Sequence, residues 1–82
     1  MASSESERSD TGVPAQRLKF GRRLRTLRER AGLTQTAAAA AAGMDRSFYA
    51  ELESARHSVS VDRVPALAQA VGVPPHQLFT DD

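Results

Sequence analysis

At 82 residues, with no cysteine, the chain has room for one domain and excludes disulfides and cysteine-ligated metal as sources of stability. His57 and His76 lie far apart with no carboxylate at metal-ligand spacing, so neither a metal nor another cofactor is expected. The formal net charge is only +1, but residues 15–58 carry nine basic side chains against Glu29, Asp45, Glu51 and Glu53, while residues 1–14 and 59–82 are each net acidic. A basic middle between acidic ends suits a chain with one surface turned to a polyanion. Well-solvated arginine-rich helices would give the same pattern.

Residues 1–14 are rich in Ser, Glu, Asp and Thr without apolar periodicity, which predicts a disordered tail ahead of a domain at 15–80. The start lacks the basic-then-apolar profile of a signal peptide, and no apolar run approaches membrane-spanning length. A cytoplasmic protein with no membrane partner is therefore expected. Pro14 suits the edge of a first helix, along which Phe20, Leu24, Leu27 and Ala31 form a one-sided stripe. The arginines, among them Arg22, Arg23 and Arg25, are expected on its exposed faces, and Gly32 is placed to stop it.

Thr34 is a good N-cap for the alanine-rich run Gln35 to Ala42, which Gly43 ends. Asp45 opens a third helix through Glu53, with Met44, Phe48, Tyr49 and Leu52 supplying apolar contacts. Residues 54–60 read as a loop. Val61, Val64, Leu67, Ala68 and Val71 form a fourth stripe that Gly72 terminates. Pro65 would clash inside a regular helix, so this helix is expected to start nearer Asp62 or Arg63, or to have a distorted first turn. Pro74 and Pro75 then begin a short fifth turn ending in Leu78 and Phe79. With no alternating β-branched run, the fold class is all-α, built of five short helices.

Two short helices, Gln35–Ala42 and Arg46–Glu53, joined by Gly43-Met44-Asp45, have the spacing of a helix-turn-helix. That shape alone is common among all-α domains. The dispersed residues around it are more specific: Arg28, Gly32-Leu33-Thr34-Gln35, Ala39, Gly43, Arg46-Ser47, Leu52-Glu53, Leu67-Ala68, Val71-Gly72-Val73 and Leu78-Phe79. In these positions Phe20 to Phe79 resembles the phage repressor/Cro-type (XRE) helix-turn-helix family, whose lambda-repressor-like domain binds double-stranded DNA. The resemblance covers about three-quarters of the chain.

The resemblance implies that the third helix enters the major groove with its N-terminal residues against base edges. Residues 46, 47, 50 and 51 share the helix face opposite Tyr49 and Leu52, so Arg46, Ser47, Ala50 and Glu51 are the candidate base readers. Arg46 can offer a bidentate fork to guanine, Ser47 can touch a base or a phosphate, and Ala50 can meet a thymine methyl. Glu51 can accept from cytosine N4, hold Arg46 or another arginine, or point away from bases. Phosphate contacts are expected from Thr34 and Gln35 at the start of the second helix, and from Arg56, His57 and Ser58 in the following loop. Thr34 can equally do no more than cap. Arg28 and Glu53 match a family ion pair joining the first and third helices; such a fork is geometrically specific without being strongly stabilising.

Three residues depart from the family pattern. Ala38 stands where a leucine usually fills the core, and Phe48 or Tyr49 is the expected replacement for its volume. Ala55 stands where glycine usually closes the third helix, and is strained if that position needs positive φ. Val59 replaces a common loop proline. The second helix has no acidic residue, which disfavours the activator mode of polymerase contact in this family.

The function expected is a transcription regulator acting as a homodimer on a (pseudo)palindromic operator, with Val73, Leu78 and Phe79 as dimer surface unless Leu78 and Phe79 fold back into the core. The sequence leaves almost nothing beyond the DNA-binding domain, as in compact controller proteins of restriction–modification systems. No small-molecule ligand is implied. The alternative is an antitoxin-like or adaptor module whose helices chiefly hold another protein. No paired carboxylates, nucleophile–base set or phosphate loop suggests an enzyme.

Overall fold

A computed structural model describes residues 13–80; the predicted tail, apart from Val13 and Pro14, lies outside the described residues. Four α-helices follow in order: α1 (Ala15–Arg30), α2 (Gln35–Ala41), α3 (Arg46–Glu53) and α4 (Val64–Val71). Two 3-10 segments, Val61–Arg63 and Pro75–Phe79, precede and follow α4. The expected fifth helix is the second of these segments, its chain already committed to extended backbone at Pro74. The described residues contain no strand.

Pro65 falls within the first two positions of α4, where its missing N–H and fixed φ cost nothing, and the tighter turn Val61–Arg63 takes up the chain before it. This displaces Val61 from the apolar stripe assigned to it: its side chain is 83% exposed. The caps agree with the residue types. Thr34 Oγ1 accepts from Ala37 N at 3.0 Å, and Asp45 Oδ2 accepts from Ser47 N at 2.9 Å and Phe48 N at 3.3 Å.

At each helix C-terminus an amide reaches back five residues: Leu33 to Arg28, Met44 to Ala39, Arg56 to Glu51 and Val73 to Ala68. This closure puts one residue per helix at positive φ. Three are glycines; the fourth is Ala55, at φ 67°, the sole non-glycine of this kind among the described residues. α3 does not run on to relieve it.

Leu24, Leu52, Leu67, Leu78 and Tyr49 are wholly buried, each leucine worth roughly 1.5–3 kcal/mol of burial. Ala38 and Tyr49 belong to the same core cluster, both with no exposed surface, while Phe48 packs at its edge. α1 lies against α3 and the C-terminal turn, and α2 against α3 and α4. Gly21 sets the closeness of α1 to α3: a Cβ there would stand 2.5 Å from the Glu53 carbonyl oxygen and 2.8 Å from that of Leu52.

Arg23 corrects the expectation of an exposed charge. It is only 8% exposed, with Nε donating to the Gln77 backbone oxygen and Nη2 to Gln77 Oε1, both at 2.8 Å. The α1 stripe is wider than its apolar residues suggest, because an arginine fork ties the C-terminal turn to the first helix.

The ends of α1 and α3 meet in a buried polar cluster. Arg28 Nε and Nη2 donate to Glu53 Oε2 and Oε1 at 2.6 and 3.1 Å, and Gln35 Nε2 donates to Oε1 at 3.0 Å. Arg28 Nη1 also donates to the Leu33 carbonyl at 2.8 Å. Burial by itself raises the Glu53 pKa, but hydrogen bonds from Arg28 and Gln35, with the Tyr49 hydroxyl close by, outweigh it and hold the carboxyl below its ordinary value. Burial first, and the Glu53 carboxylate second, push the Tyr49 hydroxyl far upward, so it stays neutral.

Gly21→Ala should destabilise the domain by about 1–3 kcal/mol, reversing the gain of roughly 1 kcal/mol that alanine gives in an ordinary helix. Thermal unfolding checks it, and an unchanged or raised Tm would mean that α1 and α3 separate at no cost. Because the Glu53 pKa is depressed on folding, its contribution is fully present above the unfolded value near 4.5 and is lost as pH falls through the lower folded value. Glu53→Gln should therefore be less stable than wild type at pH 7, with the gap closing below about pH 4.5. Denaturant midpoints across pH 3–7 measure this; a gap constant over that range contradicts it.

Candidate nucleic-acid interface

α3 is divided lengthwise by burial. Tyr49 and Leu52 face inward with no exposed surface, whereas Arg46 and Ser47 are exposed and Ala50 and Glu51 half-buried. The four candidate base readers thus lie together on the outer side. The capping oxygen of Asp45 is spent on the first-turn amides, leaving Arg46 extended from a fixed helix start.

Among the described residues Glu51 pairs with His57 and not with an arginine: His57 Nε2 stands 3.1 Å from Glu51 Oε1, so the loop after α3 folds back onto the outer face of α3. The His57 ring lies 5.4 Å from that of Phe48, tilted by 43°, and the Arg63 guanidinium sits 5.3 Å over the Phe48 ring. Arg56 and Ser58 flank His57 and are exposed.

At the other edge of the motif, the Thr34 hydroxyl oxygen is occupied as a cap, leaving its hydrogen available to an acceptor. Gln35 is half-buried and directs its amide nitrogen to Glu53; one amide hydrogen remains. Gln35 is thus part of the seat of α3 as well as a neighbour of the outer face. The residues that sequence reasoning missed are those joining elements across a turn: Gly21, Arg23 with Gln77, and the pairing of His57 with Glu51. Only the placement of an acid on the outer face of α3 hinted at the last.

Far from α3, Leu78 and Phe79 part company. Leu78 is wholly buried and so cannot belong to an exposed surface; it is the deepest apolar residue of the last turn. Phe79 is 59% exposed and leans on Phe20, with ring centroids 5.5 Å apart. Val73 is partly buried against the core. Phe79 forms one wall of a shallow apolar depression with Pro14, Arg17, Phe20 and Val59.

No described helix is long and apolar enough to cross a membrane. Residues 19–78 match the model of the helix-turn-helix domain family. The chain is 30% identical over 66 residues to control protein C.MunI from a Mycoplasma species, covering 79% of this chain and 89% of that one. Its fold matches the crystal structure of the restriction–modification controller protein C.AhdI from Aeromonas hydrophila with a TM-score of 0.78 at 39% identity, over 80% of this chain and all of that one. A hypothetical transcription factor from Neisseria matches with a TM-score of 0.75 at 25% identity, over 83% and 86% of the two chains. The presented outer face of α3 and these likenesses agree: the chain belongs to the XRE-type helix-turn-helix family of DNA-binding transcription regulators, which are not enzymes, and is similar to its restriction–modification controller proteins.

Proposed function

We propose that the protein regulates transcription as a homodimer bound to a (pseudo)palindromic operator, in the manner of a controller protein in the cytoplasm. The observation that carries this reading is the outer face of α3, where Arg46, Ser47, Ala50 and Glu51 stand clear of the core on a helix fixed at both ends. α3 would lie in the major groove, with Arg46 forking to guanine O6 and N7. Thr34, Gln35, Arg56, His57 and Ser58, on either side of that face, would contact phosphates and set its register. Two copies would place their α3 helices about one helical turn, roughly 34 Å, apart.

Phe79 is the dimer anchor that best fits the surface, with the partly buried Val73 a second candidate. An aromatic ring more than half exposed beside an apolar depression is costly to leave in water and suited to a second copy. Leu78 supports it from within the protomer.

Arg46→Ala should lose about 1–3 kcal/mol of affinity for its selected site and relax preference at a single base pair. Titrations against site variants measure it; equal weakening on every sequence would make Arg46 a phosphate contact. Wild-type affinity should also fall steeply with salt, whereas a flat response would favour a protein partner over DNA. Phe79→Ala should shift sedimentation toward monomer while keeping the helical circular dichroism signal. Unchanged association would place the interface elsewhere.

A further inference from the structure

We propose that His57 is a positioning residue for Glu51: it holds the Glu51 carboxylate on the outer side of α3, so that Glu51 selects a base presenting an exocyclic amine at one position of the DNA site. This rests on α3 being the base-reading helix.

Three segments converge to make the arrangement. Phe48 is anchored at the edge of the core, Arg63 from the turn before α4 lies over its ring, and His57 from the exit loop sits beside that ring with Nε2 on Glu51 Oε1. Glu51 and Phe48 are three residues apart on α3 and so lie on neighbouring faces. The His57 ring therefore has an apolar backing on one side and a carboxylate on the other, with Nε2 a close polar neighbour of Oε1 at 3.1 Å.

A free carboxylate facing DNA is repelled by phosphates and can swing away on its rotatable bonds. A ring nitrogen packed against Oε1 restricts that motion, while Oε2 stays able to accept. In the major groove the amines available to it are cytosine N4 and adenine N6, of which cytosine is the usual partner of an acid. The side chains of His57 and Glu51 are 54% and 39% exposed, and a pair so open to water adds little to folding stability. Its effect is therefore on placement, and docking against DNA would strengthen it by excluding water. Arg46 and Glu51 are five residues apart, about 7.5 Å along the helix at 1.5 Å per residue. That is roughly two base-pair steps of 3.4 Å.

The test is selection from a random DNA pool by the full chain, followed by titration against single-base variants of the selected site. Wild type should prefer cytosine at one position about two base pairs from the position relaxed by Arg46→Ala, by roughly tenfold or more. Glu51→Ala and His57→Ala should both lose that preference at the same position, with the rest of the motif kept. His57→Gln, which restores an amide donor, should recover most of it, which a purely structural role for His57 does not predict. If His57→Ala weakens all sequences equally, or leaves the preference intact, His57 contributes no more than a phosphate contact and the proposal is overturned while DNA reading stands. If wild type enriches no motif, base reading by α3 fails and this assignment fails with it.

Discussion

The Arg28–Glu53 fork is the interaction on which the presentation of α3 depends. An eight-residue helix is too short to hold its shape or direction in water alone, so both come from what it is fastened to. Its start is fastened by Asp45 and its end by Glu53, a side chain only 4% exposed that receives Arg28 from α1 and Gln35 from α2. Three helices thus converge on one carboxylate. Burying that charge is expensive, and a well-packed apolar set of the same volume would stabilise the fold at least as well. What an apolar set lacks is direction: a planar fork meeting a planar carboxylate fixes the rotation of α3 as well as its distance.

Backbone geometry constrains the same region. With Gly21 under the last carbonyls of α3, the first and third helices approach more closely than any side chain would allow. The chain must then turn sharply away from α3, and it does so through Ala55 in a left-handed conformation. Such a conformation costs an alanine roughly 1–2 kcal/mol. The Ala55 methyl is also 2% exposed, and burying one carbon returns about 0.8 kcal/mol. Burial thus offsets part of the strain, which makes an alanine tolerable where glycine would be the usual choice.

Periodicity and caps made most of the architecture legible. Thr34, Asp45 and the residues in left-handed conformation mark helix ends by local chemistry, and the alternation of Tyr49 and Leu52 with Arg46, Ser47 and Ala50 divides α3 by local spacing. What could not be read depends on distant partners. Arg23 looks like any other arginine of a basic helix until the C-terminal turn places the Gln77 oxygens beside it, 54 residues away. Leu78 and Phe79 are both apolar neighbours, and only the direction of a 3-10 turn decides which enters the core. Pro65, by contrast, is a local signal that marks the delayed start of α4 in the sequence itself, and Val61 keeps the helical period while standing outside the helix. Glu51 is open to several roles in sequence, since His57 lies within a loop whose path no local pattern specifies.

The exposed charges of Arg46 and Arg56 around the motif attract any duplex, and that part of their contribution gives affinity without discrimination. An acid on the same face works against that attraction on every sequence alike. Its retention is useful only where a base amine repays the lost attraction, so that the wrong base leaves a carboxylate desolvated and unpaired. Discrimination on this reading comes from repulsion relieved at the right site as much as from hydrogen bonds formed there. It therefore requires a carboxylate that cannot evade the mismatch by rotating away, and the position of His57 on Glu51 Oε1 supplies that restraint.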